Sequence, residues 1–184
     1  MEVGGRVLEV ESGWNRPPKK VQLFISPSPF KEHPMTPRES ALQRPVDILL
    51  VEDNPGDVRL TMEALKDCKV RNHTSVVGDG VDALAFLRRT GQYANAARPD
   101  LILLDLNLPK MNGHDVLSHV KKDPDLKQIP VVIFTGSKAP ADVFKSYELY
   151  ANCYVTKPVD VDRFNETVQT IQEFWCSVAR LPNE

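Results

Sequence analysis

Polar side chains that can do chemistry follow four separate apolar runs of this 184-residue sequence. Carboxylates follow two of the runs, a hydroxyl follows the third and an ammonium follows the fourth. In chain order these residues are Glu52 with Asp53, then Asp105, Thr135 and Lys157. If these groups converge, the carboxylates repel one another and raise one another's pKa, so a cation is needed to relieve the repulsion. Oxygen donors without histidine or cysteine favour a hard ion, and Mg²⁺ suits a site that handles phosphate.

Phosphoryl transfer is the reaction that these groups would support. A carboxylate next to Mg²⁺ and a lysine is prepared as a nucleophile, because both cations neutralise charge on the equatorial oxygens of the phosphoryl group. Thr135 can donate its hydroxyl to the transferred group. The product would be an aspartyl phosphate.

The apolar runs that carry these residues read as buried strands, because apolar and polar residues do not alternate in them. The predicted strands are 46–51, 74–77, 101–104, 131–134 and 153–155. Apolar strands of this kind must be covered on both faces, which predicts a doubly wound α/β fold with a five-stranded parallel sheet. In such a sheet the ligand site lies outside the carboxyl ends of the strands, where the polar residues stand.

Segments with helical spacing of apolar residues follow the predicted strands. The first helix begins at Asn54-Pro55-Gly56-Asp57, where an asparagine cap and a proline favour a first turn. The apolar positions of the later helices are Val81, Leu84, Ala85 and Leu87 before a stop at Gly91, then Val116, Leu117 and Val120 after Gly113, then Val143, Tyr147 and Tyr150 after Pro140. The last helix follows Asp160 and carries the stripe Phe164, Val168, Ile171, Trp175 and Val178.

Four segments of the sequence together resemble response-regulator receiver domains. They are LLVEDN at 49–54, LLDLNLPKMNG at 103–113, TGS at 135–137 and KP at 157–158. The resemblance runs from residue 46 to about residue 175 in the right order and spacing. It implies a flavodoxin-like (βα)5 receiver fold with strand order 2-1-3-4-5.

The resemblance also implies roles for the acidic residues. Asp105 would be the phosphoacceptor, with Glu52 and Asp53 as the acidic pair. Asp53 and Asp105 would bind Mg²⁺ directly, the backbone carbonyl of Asn107 would complete the protein ligands, and Glu52 would act through water. The chain is therefore expected to be a phosphoacceptor switch, not an enzyme, with self-catalysed phosphorylation and slow dephosphorylation.

The remaining motif residues imply a conformational switch. Thr135 and Lys157 would contact the phosphoryl group, and Tyr154 matches the aromatic residue that changes rotamer in this family. On phosphorylation Thr135 would move towards Asp105 and Tyr154 would turn inward. The Lys157–Pro158 peptide matches a position that is usually cis.

A narrower resemblance concerns the segments NPGDVRL at 54–60, NCYVTK at 152–157 and EFW at 173–175. They look like the single-domain regulators paired with bacterial phytochromes, so a light-sensing histidine kinase is the expected partner. A homodimer through helix 4, strand 5 and helix 5 is implied as well, with the residues Tyr147, Tyr150, Phe174 and Trp175. The alternative is that Trp175 packs only on its own core. Too few residues follow Lys157 for an output domain, so we expect the signal to leave through a protein surface.

Composition limits the other functional classes. A net charge of −2 argues against a nucleic-acid binder that works by bulk charge, and no apolar run approaches the roughly 20 residues of a membrane span. The cysteines Cys68, Cys153 and Cys176 form no CxxC pair, which fits a reducing compartment. We therefore expect a cytoplasmic protein that binds neither nucleic acid nor membrane.

The first part of the chain differs in composition from the rest. The first 45 residues hold 7 of the 15 prolines. Because proline disfavours both helices and strand ladders, residues 1–44 are expected to be a flexible extension. Residues 45–184 would form the receiver domain, with an extended C-terminal helix.

Three other readings of the same residues are open. A metal-dependent phosphohydrolase of the haloacid-dehalogenase type also places Asp, Thr or Ser, and Lys at strand ends, but it needs a second Asp where this chain has Asn107. A receiver-like fold that never takes phosphate usually lacks part of the acidic set, which is complete here. A nucleotide-binding protein would need a GxxxxGK[ST] loop, and the chain has none.

Overall fold

The computed structural model describes residues 44–66 and 71–182, and within them five strands form one parallel sheet. The strands are β1 (Val46–Val51), β2 (Asn72–Val77), β3 (Leu101–Leu104), β4 (Val131–Thr135) and β5 (Cys153–Thr156). Their order across the sheet is β2-β1-β3-β4-β5. The predicted fold class and strand order are therefore confirmed, with β2 and β5 at the edges.

Five α-helices alternate with these strands in the described part of the chain. They are α1 (Pro55–Lys66), α2 (Gly80–Leu87), α3 (Gly113–Lys122), α4 (Pro140–Glu148) and α5 (Val161–Glu173). A 3-10 turn (Gly91–Tyr93) follows α2, and a π-helical turn (Phe174–Val178) follows α5. Four helices begin at an aspartate or asparagine whose side-chain oxygen accepts a backbone N–H of the first turn, at Asn54, Asp79, Asn112 and Asp160.

The sheet separates two apolar clusters, one on each face. In β1, Leu49 and Val51 face one cluster, while Ile48 and Leu50 face the other. Helices α2 and α3 cover the first cluster, and α1 and α5 cover the second. Because both faces are buried, β3 is apolar at all four of its positions, which explains why the strands lack alternation.

Helix α2 ends earlier than predicted and presents a different face. It stops at Leu87 instead of reaching Gly91, because Arg89 adopts a left-handed conformation with φ 54° and its N–H donates to the carbonyl of Phe86 (3.0 Å). Val81, predicted to face the core, is 47% exposed, since the neighbouring Gly80 takes the inward position of the first turn.

The predicted apolar stripe of the last helix also changes register near its end. Phe164, Val168 and Ile171 are buried, but Val178 is 70% exposed. At the end of α5 the helix continues as a wider π-helical turn over Phe174–Val178. Because a π turn holds more residues than an α-helical turn, Val178 no longer falls on the buried face, although Trp175 and Cys176 still pack against the core.

The predicted flexible extension over residues 1–44 lies outside the described residues except for Arg44. The guanidinium of Arg44 binds both carboxylate oxygens of Asp100, at 2.6 and 2.8 Å. The domain boundary at residue 45 stays a prediction. Among the helices within 44–66 and 71–182, none has the length and hydropathy needed to cross a membrane.

Candidate functional site

Three carboxylates meet where β1 and β3 end. Val51 and Leu104 are register partners in these strands, and the N–H of Asp105 donates to the carbonyl of Val51 (3.0 Å). One carboxylate oxygen from each of Glu52, Asp53 and Asp105 lies within 4.8 Å of the others. Glu52 and Asp105 are buried and Asp53 is exposed, so the cluster opens to solvent on one side.

Lys157 brings an ammonium to the same place. Its backbone N–H donates to the carbonyl of Thr135 (2.8 Å), which fixes the start of the loop after β5 beside β4. The Nζ atom binds a carboxylate oxygen of Glu52, lies 2.9 Å from Asp57 Oδ2 and lies 3.6 Å from Asp105 Oδ2. The predicted convergence of carboxylates and ammonium is therefore present in the structure.

Burial and charge act against each other in this cluster. Burial raises the pKa of Glu52 above its usual range, and the hydrogen bond and charge of Lys157 oppose that rise. Burial alone would lower the pKa of Lys157, but the carboxylates of Glu52, Asp57 and Asp105 outweigh it and raise the pKa. Lys157 is therefore held as an ammonium beside the acidic residues.

The segment after Asp105 is shaped by a glycine that has no room for a side chain. A Cβ atom on Gly113 would lie 2.2 Å from the carbonyl oxygen of Asp105. The N–H of Gly113 donates to the carbonyl of Leu106 (2.9 Å), and the N–H of Leu106 donates to Asp105 Oδ1 (2.8 Å). The turn from β3 into α3 therefore fixes both the backbone and the carboxylate of Asp105.

Thr135 and Tyr154, the two predicted switch residues, both bind Ser137. Thr135 is fully buried, and its Oγ1 accepts from the N–H of Ser137 (3.4 Å). The hydroxyl of Tyr154 donates to the carbonyl of Ser137 (3.1 Å), and its ring packs against the core. The Ser137 hydroxyl donates in turn to Asp142 of α4. Contacts of Thr135 and of the Asn107 carbonyl with a phosphoryl group or metal stay predictions.

The Lys157–Pro158 peptide differs from the prediction. In the described residues no peptide bond is cis, so this bond is trans. The trans isomer is the more stable form of most bonds that precede proline, by about 0.5 to 1 kcal/mol. In this arrangement the side chain of Lys157 already reaches the carboxylates.

The four residues predicted for a dimer interface differ in exposure. Tyr147 is on α4 and exposed, while Tyr150 lies past the end of that helix with φ 65° and is 78% exposed. Phe174 is exposed, whereas Trp175 is half-buried and packs against the core of its own chain. The rings of Phe174 and Trp175 meet edge to face with centroids 5.2 Å apart. Trp175 therefore packs on its own core, as the alternative prediction has it, and its part in a dimer stays a prediction.

Asp57 is the site residue that the sequence analysis did not assign. It lies in the first turn of α1, and its carboxylate is a closer partner of Lys157 than Asp105 is. The available signal was the position of this acidic residue in a helix that starts directly after Glu52 and Asp53. The five residues that were predicted from their positions at strand ends all lie at the same edge of the sheet, namely Glu52, Asp53, Asp105, Thr135 and Lys157.

The donor atoms of the cluster fit a divalent cation. Glu52, Asp53 and Asp105 offer only carboxylate oxygens, which are the ligands that Mg²⁺ and similar hard ions prefer. Their mutual repulsion is the kind that such an ion relieves, and Asp53 leaves an open side for water or substrate.

Comparisons with known proteins identify the family of the folded domain. Residues 48–169 match the response regulator receiver domain. The response regulator Rcp1 of Synechocystis sp. is 48% identical over 138 residues, which cover 75% of this chain and 94% of Rcp1. A probable methanogenesis regulatory protein of Methanothrix harundinacea, FilR2, is 37% identical over 138 residues, which cover 75% of this chain and 88% of FilR2.

Two solved structures have a similar fold and sequence. The phosphorylated cyanobacterial phytochrome response regulator RcpA superposes with a TM-score of 0.74 at 50% identity, covering 76% of this chain and 100% of RcpA. The Mn²⁺-bound form of Rcp1 superposes with a TM-score of 0.73 at 47% identity, covering 76% of this chain and 100% of Rcp1. The likeness thus extends over the whole solved length of both.

Proposed function

This chain belongs to the response regulator receiver domain family, and we propose that it accepts a phosphoryl group from a histidine kinase on Asp105 in a Mg²⁺-dependent reaction. Receiver domains are phosphoacceptor switches that bind a divalent metal. The observation that carries the proposal is the cluster of Glu52, Asp53 and Asp105 with the ammonium of Lys157 at one edge of the sheet.

The chemistry follows from the charges in the cluster. A carboxylate oxygen of Asp105 attacks the phosphorus atom, and the bond from phosphorus to the imidazole nitrogen of the donor breaks, with its electron pair left on that nitrogen. Lys157 stabilises negative charge on the phosphoryl oxygens, and Thr135 donates a hydrogen bond to one of them. Asp53, Asp105 and the carbonyl of Asn107 would hold Mg²⁺, with Glu52 acting through water, and the ion would neutralise charge on the phosphoryl group.

The names of similar proteins bear on the identity of the kinase. RcpA is described as a cyanobacterial phytochrome response regulator, and two further structures, 43% identical to this chain, are described as bacteriophytochrome response regulators. We therefore propose a phytochrome-type histidine kinase as the phosphoryl donor of this chain.

The proposed switch acts through the loop that follows β4. Ser137 binds both Thr135 and Tyr154, so movement of Thr135 towards a phosphorylated Asp105 would alter the contact that holds the Tyr154 hydroxyl. The Ser137 hydroxyl also binds Asp142 in the first turn of α4. The proposed output surface is therefore the face formed by α4, β5 and α5.

The same face is proposed as a homodimer surface. β5 is an edge strand whose four residues are half-buried, in contrast to the buried residues of β4. Tyr147, Tyr150 and Phe174 add exposed aromatic area, which is a feature of interface hot spots.

Phosphorylation of Asp105 can be tested without the kinase. Acetyl phosphate and Mg²⁺ should add one phosphoryl mass to the protein, with acetate as the leaving group, and Asp105→Asn should abolish the addition. Asp125→Asn, which removes an exposed carboxylate after α3, is the matched control and should label like the unmodified chain. Full labelling of Asp105→Asn would show that the acceptor is another residue.

The donor can be tested by phosphotransfer from a panel of histidine kinases, with a phytochrome first. Radiolabel should move fastest from the phytochrome kinase to the unmodified chain and should not move to Asp105→Asn. Faster transfer from an unrelated kinase would contradict the assignment of the donor and leave the acceptor role intact.

Metal binding can be tested through stability. Mg²⁺ at about ten times its dissociation constant should raise the free energy of unfolding by roughly 1.4 kcal/mol, because it binds the folded chain. Asp53→Asn should remove most of this gain, and Asp82→Asn, a carboxylate in the first turn of α2, should keep it. An equal gain in the two variants would exclude Asp53 as a ligand.

A further inference from the structure

Asp57 has no part in the chemistry proposed above, yet it contacts a residue that does. The distance from Lys157 Nζ to Asp57 Oδ2 is 2.9 Å, and the distance from Lys157 Nζ to Asp105 Oδ2 is 3.6 Å. The first distance is that of a charge-assisted hydrogen bond, and the second is an ion pair without one. The ammonium is therefore bonded to Glu52 and Asp57 in preference to the phosphoacceptor.

The position of Asp57 is fixed by the start of α1. The side-chain oxygen of Asn54 accepts from the N–H of Gly56 (2.8 Å) and from the N–H of Asp57 (3.3 Å). This cap confirms the predicted role of Asn54 and sets the first turn beside the strand ends. The Asp57 side chain is mostly buried, with 29% of its surface exposed, and the Lys157 side chain is 9% exposed.

Asp57 also has a purely structural explanation. A carboxylate in the first turn of a helix is favoured by the partial positive charge of the N-terminus, and α2 and α5 carry Asp82 and Asp162 at the same place. For neither of these two is an ion pair with a lysine found among the described residues, whereas Asp57 binds Lys157. The contact with Lys157 is thus additional to the effect of the helix.

We propose that Asp57 is a positioning residue that competes with the phosphoryl group for the ammonium of Lys157, an inference that rests on the proposed phosphoacceptor role of Asp105. While Asp105 is unmodified, Asp57 and Glu52 hold the ammonium. When a phosphoryl group arrives, its oxygens must draw the ammonium away from Asp57. Asp57 therefore weakens phosphoryl binding and lowers the rate at which Asp105 is labelled.

Asparagine at this position would keep the shape and remove the charge. A hydrogen bond to a neutral amide oxygen is weaker than one to a carboxylate, so the ammonium of Lys157 becomes available to the phosphoryl group. From the usual difference between charged and neutral hydrogen bonds, the expected gain in affinity for a phosphoryl mimic is about fivefold.

The test measures the affinity of fluoroberyllate, a tetrahedral mimic of a phosphoryl group, in saturating Mg²⁺ by calorimetry. Asp57→Asn should bind it about fivefold more tightly than the unmodified chain and should label about fivefold faster with acetyl phosphate. Asp82→Asn is the matched control, since it removes one charge from the first turn of α2, and it should leave both quantities unchanged.

Salt separates the contact from a general effect of charge. At about 1 M KCl the screening length falls to roughly 3 Å, so an effect of net charge is lost while a contact effect remains. The tighter binding of Asp57→Asn should therefore persist at this salt concentration. Loss of the difference in high salt, or equal behaviour of the two variants, would overturn the inference.

The outcome also separates this inference from the proposed function. Suppose that the unmodified chain binds fluoroberyllate and is labelled at Asp105, but Asp57→Asn binds the mimic no more tightly and is labelled no faster. The positioning role is then wrong and the phosphoacceptor role stands. If the unmodified chain neither binds the mimic nor labels, both are wrong.

Discussion

The ammonium of Lys157 and the carboxylate of Glu52 form an ion pair in which both side chains are buried at the carboxyl edge of the sheet. Glu52 follows the end of β1 and Lys157 follows the end of β5, and the two strands β3 and β4 lie between β1 and β5 in the sheet. Breaking a buried pair on one side leaves an uncompensated charge in a poorly solvated place. The pair is therefore a structural element of the fold as well as part of the proposed site.

Replacing Lys157 by methionine should destabilise the chain in Mg²⁺-free buffer by about 3 kcal/mol, since Glu52 and Asp105 lose their shared cation. Urea unfolding followed by circular dichroism measures this change. Lys145→Met on the exposed face of α4 is the control and should change the free energy by less than about 0.5 kcal/mol. Equal stabilities of the two variants would show that the pair contributes little.

Replacing Gly113 by alanine should cost about 2 to 3 kcal/mol, because the added Cβ would lie 2.2 Å from the carbonyl oxygen of Asp105. The same displacement would move Asp105 and slow its labelling by acetyl phosphate. Gly78→Ala is the matched control, because no atom lies within 4 Å of its added Cβ, and it should change stability by less than about 0.5 kcal/mol. A Gly113→Ala chain as stable as Gly78→Ala would mean that the turn into α3 can shift freely.

Stability at alkaline pH should depend on Lys121, because burial lowers its pKa to about 8 from an ordinary value of 10.5. Between these two values the unfolded chain binds a proton that the folded chain has released, so the contribution of Lys121 to the free energy of unfolding rises with pH. After allowance for the partial solvent exposure of this side chain, the rise should be roughly 1 kcal/mol.

The measurement is the difference in unfolding free energy between the unmodified chain and Lys121→Met, taken at several pH values from 7 to 11. The constant cost of losing the bonds from Lys121 Nζ to Ile129 O (2.8 Å) and Asn152 Oδ1 (3.0 Å) cancels in the comparison. Lys122→Met, at the exposed neighbouring position, should give a flat difference. A flat difference for Lys121→Met as well would place its folded pKa at the ordinary value.

The proposed dimer should weaken when exposed aromatic residues of the face formed by α4, β5 and α5 are removed. Phe174→Ser and Tyr147→Ser should each lower the sedimentation coefficient at micromolar concentration, because exposed aromatic anchors carry much of the energy of an interface. Val76→Ser removes an exposed apolar side chain from β2, the other edge of the sheet, and should leave sedimentation unchanged. Unchanged sedimentation of both aromatic variants would remove this face from any dimer.

The sheet could be predicted from the sequence because the burial of β3 on both faces appears directly as the apolar run Leu101–Leu104. The positions of Glu52, Asp105 and Lys157 followed from that sheet, since the ends of parallel strands meet at one edge. Asp57 did not follow, because its carboxylate reaches the site from a helix whose rotation depends on packing. The exposure of Val178 could not be predicted for a related reason, since the spacing of apolar residues does not indicate a π turn.

One residue, Ser137, serves both of the side chains that are proposed to move. Its N–H is bonded to Thr135 and its carbonyl to Tyr154, so the loop cannot release one partner while leaving the geometry of the other untouched. Coupling of this kind makes intermediate positions costly and favours two discrete arrangements. Partial phosphorylation of a population would then alter how many molecules signal, and each molecule would signal fully or not at all.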